Sequence, residues 1–330
     1  MKTCKIFSLL TLTALATISV GAATLFPVVV SGKWGFVDNS GKLIVNPQFE
    51  KAEPFAGNFA AVRLDKWGFV DATGNLAINP QFQRAGSFSG GLAAVEFGSR
   101  YGYIGTDGKY VINPQFDEAG PFTEGFAAVK LAGKWGFIDK TGKITINPQF
   151  DEAGFFTGGL AVVKLGNVYG YVDTAGKIAI NPQFEKAGVF SEKLAAIRLD
   201  HKWGFVDPAG KIIINPQFDE VGFFVKGLAP ARLGKTWGYI DTTGHFAINP
   251  QFSEAASFSE GLARVELASR WGFVDSSGKF VINPQFNEAA DFSNGRARVS
   301  LGSGFNGAFT GGRRVGYVDT AGKYIWNPNK

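Results

Sequence analysis

Sulphur, histidine and charge are all scarce in this chain. Its one Cys, Cys4, and its one Met, Met1, both fall within the first four of 330 residues. A single thiol cannot close an internal disulfide, and no Cys/His cluster with metal-ligand spacing is present. Two histidines, His201 and His245, complete the inventory for metal or nucleophilic chemistry, so no metal and no cofactor is expected. Charged residues make up 18% of the chain, against about 25% in average domains. The net charge is +5, with no clustered, strongly basic segment of the kind that binds nucleic acid. Nucleic acid is therefore not an expected partner. In excess are glycine, 44 residues, and phenylalanine, 32. So much aromatic surface excludes a disordered chain, which cannot bury enough apolar area to offset its ordering entropy.

Lys2 and Lys5 precede an uncharged run from Ile6 to Val20, followed by Gly21, Ala22 and Ala23. A short basic region, an apolar run and small residues form a secretory signal pattern, whereas a membrane span needs about 20 apolar residues. Residues 1–23 are expected to be removed near Ala22 or Ala23. Residues 24–330 would then form one array without a membrane span, secreted or held in the periplasm or cell envelope. A lipoprotein cysteine would follow the apolar run, but Cys4 precedes it.

The remainder is one unit copied repeatedly. An aromatic-Gly step falls at Trp34, Trp67, Tyr101, Trp135, Tyr169, Trp203, Trp237 and Trp271, and Asn-Pro-Gln-Phe begins in the same phase at residues 46, 79, 113, 147, 181, 215, 249 and 283. The spacing is 33 once and 34 thereafter. A ninth, degenerate copy has Val315 at the Trp position and a Gly-rich insertion near 302–314. A 34-residue period also belongs to helical repeats, so the local pattern must decide the class. Every unit carries a Gly three residues after Asp (Gly105 in one copy), as in Asp139-Lys140-Thr141-Gly142. Asp opening and Gly closing a short loop is β-hairpin chemistry, a type I turn followed by a residue with positive φ. The proline after Asn in each unit forbids a long helix there.

Alternation predicts three short strands per unit. In the fourth unit Ala127, Val129 and Leu131 share a face. Trp135, Phe137 and Asp139 follow, then Ile144 and Ile146. The expected fold is all-β: nine three-stranded antiparallel repeats that must stack to bury their apolar faces. An open β-superhelix or solenoid is favoured over a closed propeller-like ring. Propeller blades usually have four strands, and rings often close by sharing one blade between the two chain ends; neither feature is visible.

At Lys-Trp-Gly-Phe-[Val/Ile]-Asp, Gly-Lys, Asn-Pro-Gln-Phe and Gly-Leu-Ala-x-Val, the sequence resembles the WG-repeat (KWG-repeat) family of bacterial proteins over residues 28–328. Tyr101 and Tyr169 in place of Trp, Gly105 in place of the turn Asp, and Val315 depart from the pattern. The resemblance implies all-β binding or scaffolding arrays, often exported, with few assigned activities.

Repetition supplies the same residues everywhere, whereas catalysis needs one converging constellation, so no enzyme is expected. The acidic pairs Asp117-Glu118, Asp151-Glu152 and Asp219-Glu220 drift to Glu50-Lys51 and Gln83-Arg84 in other units, which marks a solvated connection. The Trp and Phe ladder reads as core rather than a sugar-stacking platform. Gly302–Gly307 spells a dinucleotide fingerprint, but that motif needs a strand before it and a helix after it, and this stretch sits in a hairpin insertion and reads as a loop. Uniqueness lies in the ninth unit, where Arg296, Arg298, Arg313 and Arg314 flank the insertion. Arginine's planar fork suits carboxylates and phosphates, so these four are the candidate binding residues; the alternative is a charged cap that protects the last edge. A protein partner is expected, with cell-wall glycan as the alternative.

Overall fold

A computed structural model describes residues 25–301 and 314–327. The expected leader and the insertion lie outside the described residues. Each repeat is one small antiparallel sheet, and there are nine sheets among the described residues. The first has three strands, Phe26–Val30, Lys33–Val37 and Leu43–Phe49. The other eight have four. The fourth unit is typical, with Glu118–Ala119, Phe126–Leu131, Lys134–Asp139 and Ile144–Phe150. The three strands read from alternation are all present. The additional strand is two residues long in most units, too short to show a period of its own.

Within a unit the Asp turn forms as the sequence predicts. The Gly142 amide donates to the Asp139 carbonyl at 3.0 Å and the Asp139 amide to the Lys143 carbonyl at 3.0 Å, with Gly142 at φ +88°. Oδ1 of Asp139 accepts from the amides of Thr141 and Lys143 and from Thr141 Oγ1. Chiefly through the Ser40, Thr73, Thr141, Thr243 and Ser277 hydroxyls, the carboxyls of Asp38, Asp71, Asp139, Asp241 and Asp275 are held below their ordinary value. Depressed folded values contribute stability that is present above the unfolded carboxylate value of about 3.9 and is lost as pH falls through the folded values. Thermal melts are therefore expected to decline in midpoint below about pH 4, where the free carboxylate begins to protonate. A midpoint that stays constant down to about pH 2 would contradict this role for the turns.

Both faces of each sheet are buried, each against a different neighbour. Ala127, Val129 and Ile138 of unit four pack with Tyr103, Ile112 and Phe116 of unit three. Ala128, Phe137, Ile146 and Phe150 face the other way, onto Phe156, Ala161, Val163 and Val172 of unit five. One phenylalanine drives each junction. Phe156 stacks on Phe137 with ring centroids 4.8 Å apart, and the same pairing recurs as Phe55–Phe36, Phe88–Phe69, Phe122–Tyr103, Phe190–Tyr171, Phe224–Phe205, Phe258–Tyr239 and Phe292–Phe273. Such tilted contacts add about 0.5–1.5 kcal/mol to the area each ring buries.

The array is not open. Unit nine packs on unit one through a ring contact and a tyrosine hydrogen bond like those that join consecutive units, both received here by the strand Phe26–Val30. The Tyr317 ring lies 5.6 Å from that of Phe26, and its hydroxyl donates to the Pro27 carbonyl at 2.7 Å. Tyr103, Tyr171 and Tyr239 donate in the same way to Gly120, Gly188 and Ala256 of the following unit. Phe26, Val28, Val37 and Tyr317 form one buried cluster, with Leu43 and Trp326 against it. The open superhelix is thus corrected to a closed nine-bladed β-propeller of mostly four-stranded blades. No blade is shared between the chain ends: side-chain packing across the seam closes the ring, so its closure left no signature in the phase of the repeats.

Candidate binding surface

In a four-stranded meander the first and third connections emerge at one end of the blade and the second at the other. The Asp turns and the tips typified by Thr123–Phe126 therefore share one end of the ring. The tight turns such as Leu131–Lys134, and the links between blades, share the opposite end.

That opposite end is dense in paired charge. Lys130 reaches Glu118 at 2.8 Å, Lys164 reaches Glu152 at 2.8 Å and Arg232 reaches Glu220 at 2.8 Å, each across two neighbouring strands of one blade. Asp151 clamps two blades, accepting from Lys134 Nζ of blade four at 2.6 Å and from the Gly166 amide of blade five at 2.7 Å. Asp219 repeats this with Lys202 and Gly234, at 2.6 and 2.7 Å. Arg100 makes the matching contact with Asp117. Hydrogen bonds from Lys134 and Lys202 hold the Asp151 and Asp219 carboxyls below the usual range. In the acidic pairs of the links, the Asp thus clamps two blades while the Glu pairs within its own blade. His201 and His245 are exposed, beside Glu185 and Thr243 respectively. No group of three or more His, Cys, Asp or Glu positioned for a metal occurs among the described residues.

The aromatic-Gly ladder is core. Trp203 and Trp237 are buried, and Trp34, Trp67, Trp135 and Trp271 are half-buried against the junction clusters. The outer faces of two are covered by cations, Lys130 lying 5.8 Å from the Trp135 ring and Arg264 lying 5.1 Å from that of Trp271. Trp203→Ala is expected to cost about 3–5 kcal/mol, as large-to-small core changes do, and Trp135→Ala clearly less. Denaturant midpoints of the two variants check the order; an equal or reversed pair would return the ladder to the surface.

The register parts the candidate arginines. On the strand Arg296–Leu301, Arg296 lies opposite Asp319 and Arg298 opposite Tyr317, whereas Arg314 lies opposite Leu301 at the far end. Five residues of strand separate those ends, roughly 17 Å at about 3.3 Å per residue. Arg296 reaches across the seam: its guanidinium lies 5.2 Å from the Phe26 ring and donates to the Asn39 carbonyl at 2.7 Å. Burial lowers the pKa of Arg298, opposed by Tyr317, Glu288 and Glu53. Arg313 and the fingerprint-like Gly302–Gly307 lie outside the described residues.

Exposed apolar side chains instead concentrate on one edge. The Asn-Pro-Gln-Phe strand pairs on one side only, and on it Ile44, Leu76, Val111, Ile144, Ile213 and Val281 are exposed, Val111 by 51%. The proline of each such strand withholds a backbone donor and blunts the open edge against sheet-to-sheet association.

A family model described as WG containing repeat matches eight times, at residues 34–66, 67–101, 101–135, 135–169, 169–203, 203–237, 237–269 and 271–304. Among solved structures, one described as the crystal structure of the eukaryotic initiation factor is similar at a TM-score of 0.65 and 11% identity, covering 92% of this chain and 95% of that one. The dihydro-heme d1 dehydrogenase NirN gives a TM-score of 0.48 at 11% identity, over 96% and 76% of the two chains. Hsv2p of Kluyveromyces lactis gives 0.41 at 9%, over 64% and 86%. At these identities only the first carries weight, and only for the fold. No curated protein sequence matches.

Proposed function

The chain belongs to the WG-repeat family, and from that premise we propose that it is an exported, non-catalytic scaffold whose ring binds a protein partner. One observation carries the reading: exposed apolar residues recur two residues before Asn-Pro-Gln-Phe on the edge strand of four blades, as Ile44, Val111, Ile213 and Val281. Exposed apolar groups repeated at fixed intervals suit an extended or multivalent protein surface, which can use several at once. A small substrate would need one concave site with convergent polar groups.

Capture from an envelope extract, set against sedimentation with isolated cell wall, tests the proposal. The expected result is a protein partner whose capture is lost when Val111 and Ile213 are both changed to Glu, with the melting midpoint retained. Enrichment on isolated wall glycan, unaffected by those changes, would replace the protein-binding reading with the glycan one.

A further inference from the structure

A carboxylate clamp joins the hairpin tips of neighbouring blades. The amides of Gly158 and Gly159 in blade five donate to Oε1 and Oε2 of Glu124 in blade four, at 2.7 and 2.9 Å. Lys226 and Gly227 donate to Glu192 at 2.5 and 2.8 Å, and Asn294 and Gly295 to Glu260 at 2.6 and 2.7 Å. At each tip both donating residues have positive φ, 61° and 76° in blade five. Consecutive N–H groups then point into one concavity, a backbone nest that favours an anion. Three times among the described residues, the anion bound there is a carboxylate held by two hydrogen bonds.

Blade four has the same nest without its anion. Glu124 and Gly125 have φ of 50° and 88°, but the residue of blade three that would supply the carboxylate is Gly90. Among the described residues no group accepts from these two amides. A cation stands at the vacancy. A Cβ placed on Gly90 would lie 3.4 Å from Lys140 Cε and 3.5 Å from Lys140 Nζ. Lys140 is exposed and forms no ion pair among the described residues. Where the clamp is intact, between blades four and five, the position of Lys140 is held by Thr174. Blade six shows the contrast, since Gly158 also leaves its nest unclamped but nothing lies within 4 Å of a Cβ placed there. Between blades three and four, then, the chain both withdraws its own carboxylate and brings an ammonium group beside the vacancy.

We propose that the Glu124 and Gly125 amides, with Lys140 Nζ, form a subsite for a carboxylate side chain presented by a protein partner. A Glu of an acidic segment docks there as Glu124 docks on blade five. The choice of a peptide as the carrier rests on the protein-binding reading above; the carboxylate chemistry does not.

The probe is the peptide acetyl-Ala-Glu-Ala-amide, titrated against the full chain while amide resonances are followed, with the Gln peptide as its neutral control. Saturable shifts at Glu124 and Gly125 are expected with the Glu peptide only. Lys140→Met should weaken them at least tenfold. Gly90→Glu should abolish them, because the new side chain fills the nest; Glu124, Glu192 and Glu260 show that Glu adopts the φ near +60° found at Gly90. Equal shifts with both peptides, or shifts that survive Gly90→Glu, overturn the subsite. Failure of the wider reading looks different: the peptide still titrates, but no protein is captured by the native ring.

Discussion

Gly136→Ala should destabilise the ring by about 3 kcal/mol or more, above the usual range for one added methyl group in a packed site. The reason lies in the register of the central hairpin. Trp135 pairs with Phe150 and Phe137 with Ile146, so the shift between them inserts two extra residues opposite Gly136. Asn147 and Pro148 bulge inward across that glycine. A Cβ at Gly136 would sit 2.5 Å from the Ile146 carbonyl oxygen, 2.7 Å from Pro148 N and 2.9 Å from Asn147 C. All three are backbone atoms, which cannot rotate out of the way. The same approach recurs at Gly68, Gly102, Gly170 and Gly272. Gly133 provides the control. It has φ +80° but nothing within 4 Å of a Cβ, so Gly133→Ala should cost only the left-handed strain of about 1–2 kcal/mol. Denaturant midpoints decide between them. If the two variants lose equal stability, the close approach of the bulge is not what the glycine serves.

This pairing also shows where the sequence was readable. Trp-Gly and Asn-Pro were each evident as repeated steps, but their contact joins residues a dozen apart, and no alternation reveals which backbone crosses which. The Asp turn was legible because its whole mechanism lies within five residues, Asp139 to Lys143. The two-residue strand Glu118–Ala119 was not, because its pairing with Val129 and Lys130 is tertiary. The same division holds for binding. Four arginines form a group in the sequence of the ninth unit, yet strand register sends Arg296 to the seam and Arg314 to the opposite end of the hairpin. The vacant nest had a trace in the sequence, Gly90 at the position held by Glu124, Glu192 and Glu260 in other units. Only φ and the nearness of Lys140 gave it meaning.

The seam between blades nine and one should be the most consequential single junction, and Tyr317 its most consequential residue. Each internal junction is backed by chain continuity, since the linking strand passes directly from one blade to the next. The seam has no such link: the Tyr317–Pro27 hydrogen bond joins residues 290 apart. Geometry must then supply what the chain does not. Nine blades close a circle if each turns by roughly 40° on its neighbour, the small constant rotation that stacked repeats impose. Tyr317→Ala removes a buried ring facing Phe26 and leaves the Pro27 carbonyl without its donor. The ring alone is worth about 3–5 kcal/mol, and a buried acceptor left unpaired adds about 1–3 kcal/mol. Tyr317→Phe should keep the first part and lose the second. Hydrogen exchange locates the damage: in Tyr317→Ala the amides of Phe26–Val37 and of Val315–Asp319 should lose protection first, while those of Ile178–Phe184, midway round the ring, keep theirs. Tyr171→Phe removes the equivalent bond inside the array, to the Gly188 carbonyl. It should lower stability by a similar amount without selective opening of blades one and nine. Unchanged protection of Phe26–Val37 in Tyr317→Ala would mean that the two ends do not hold each other, and the ring would have to be read as an arc.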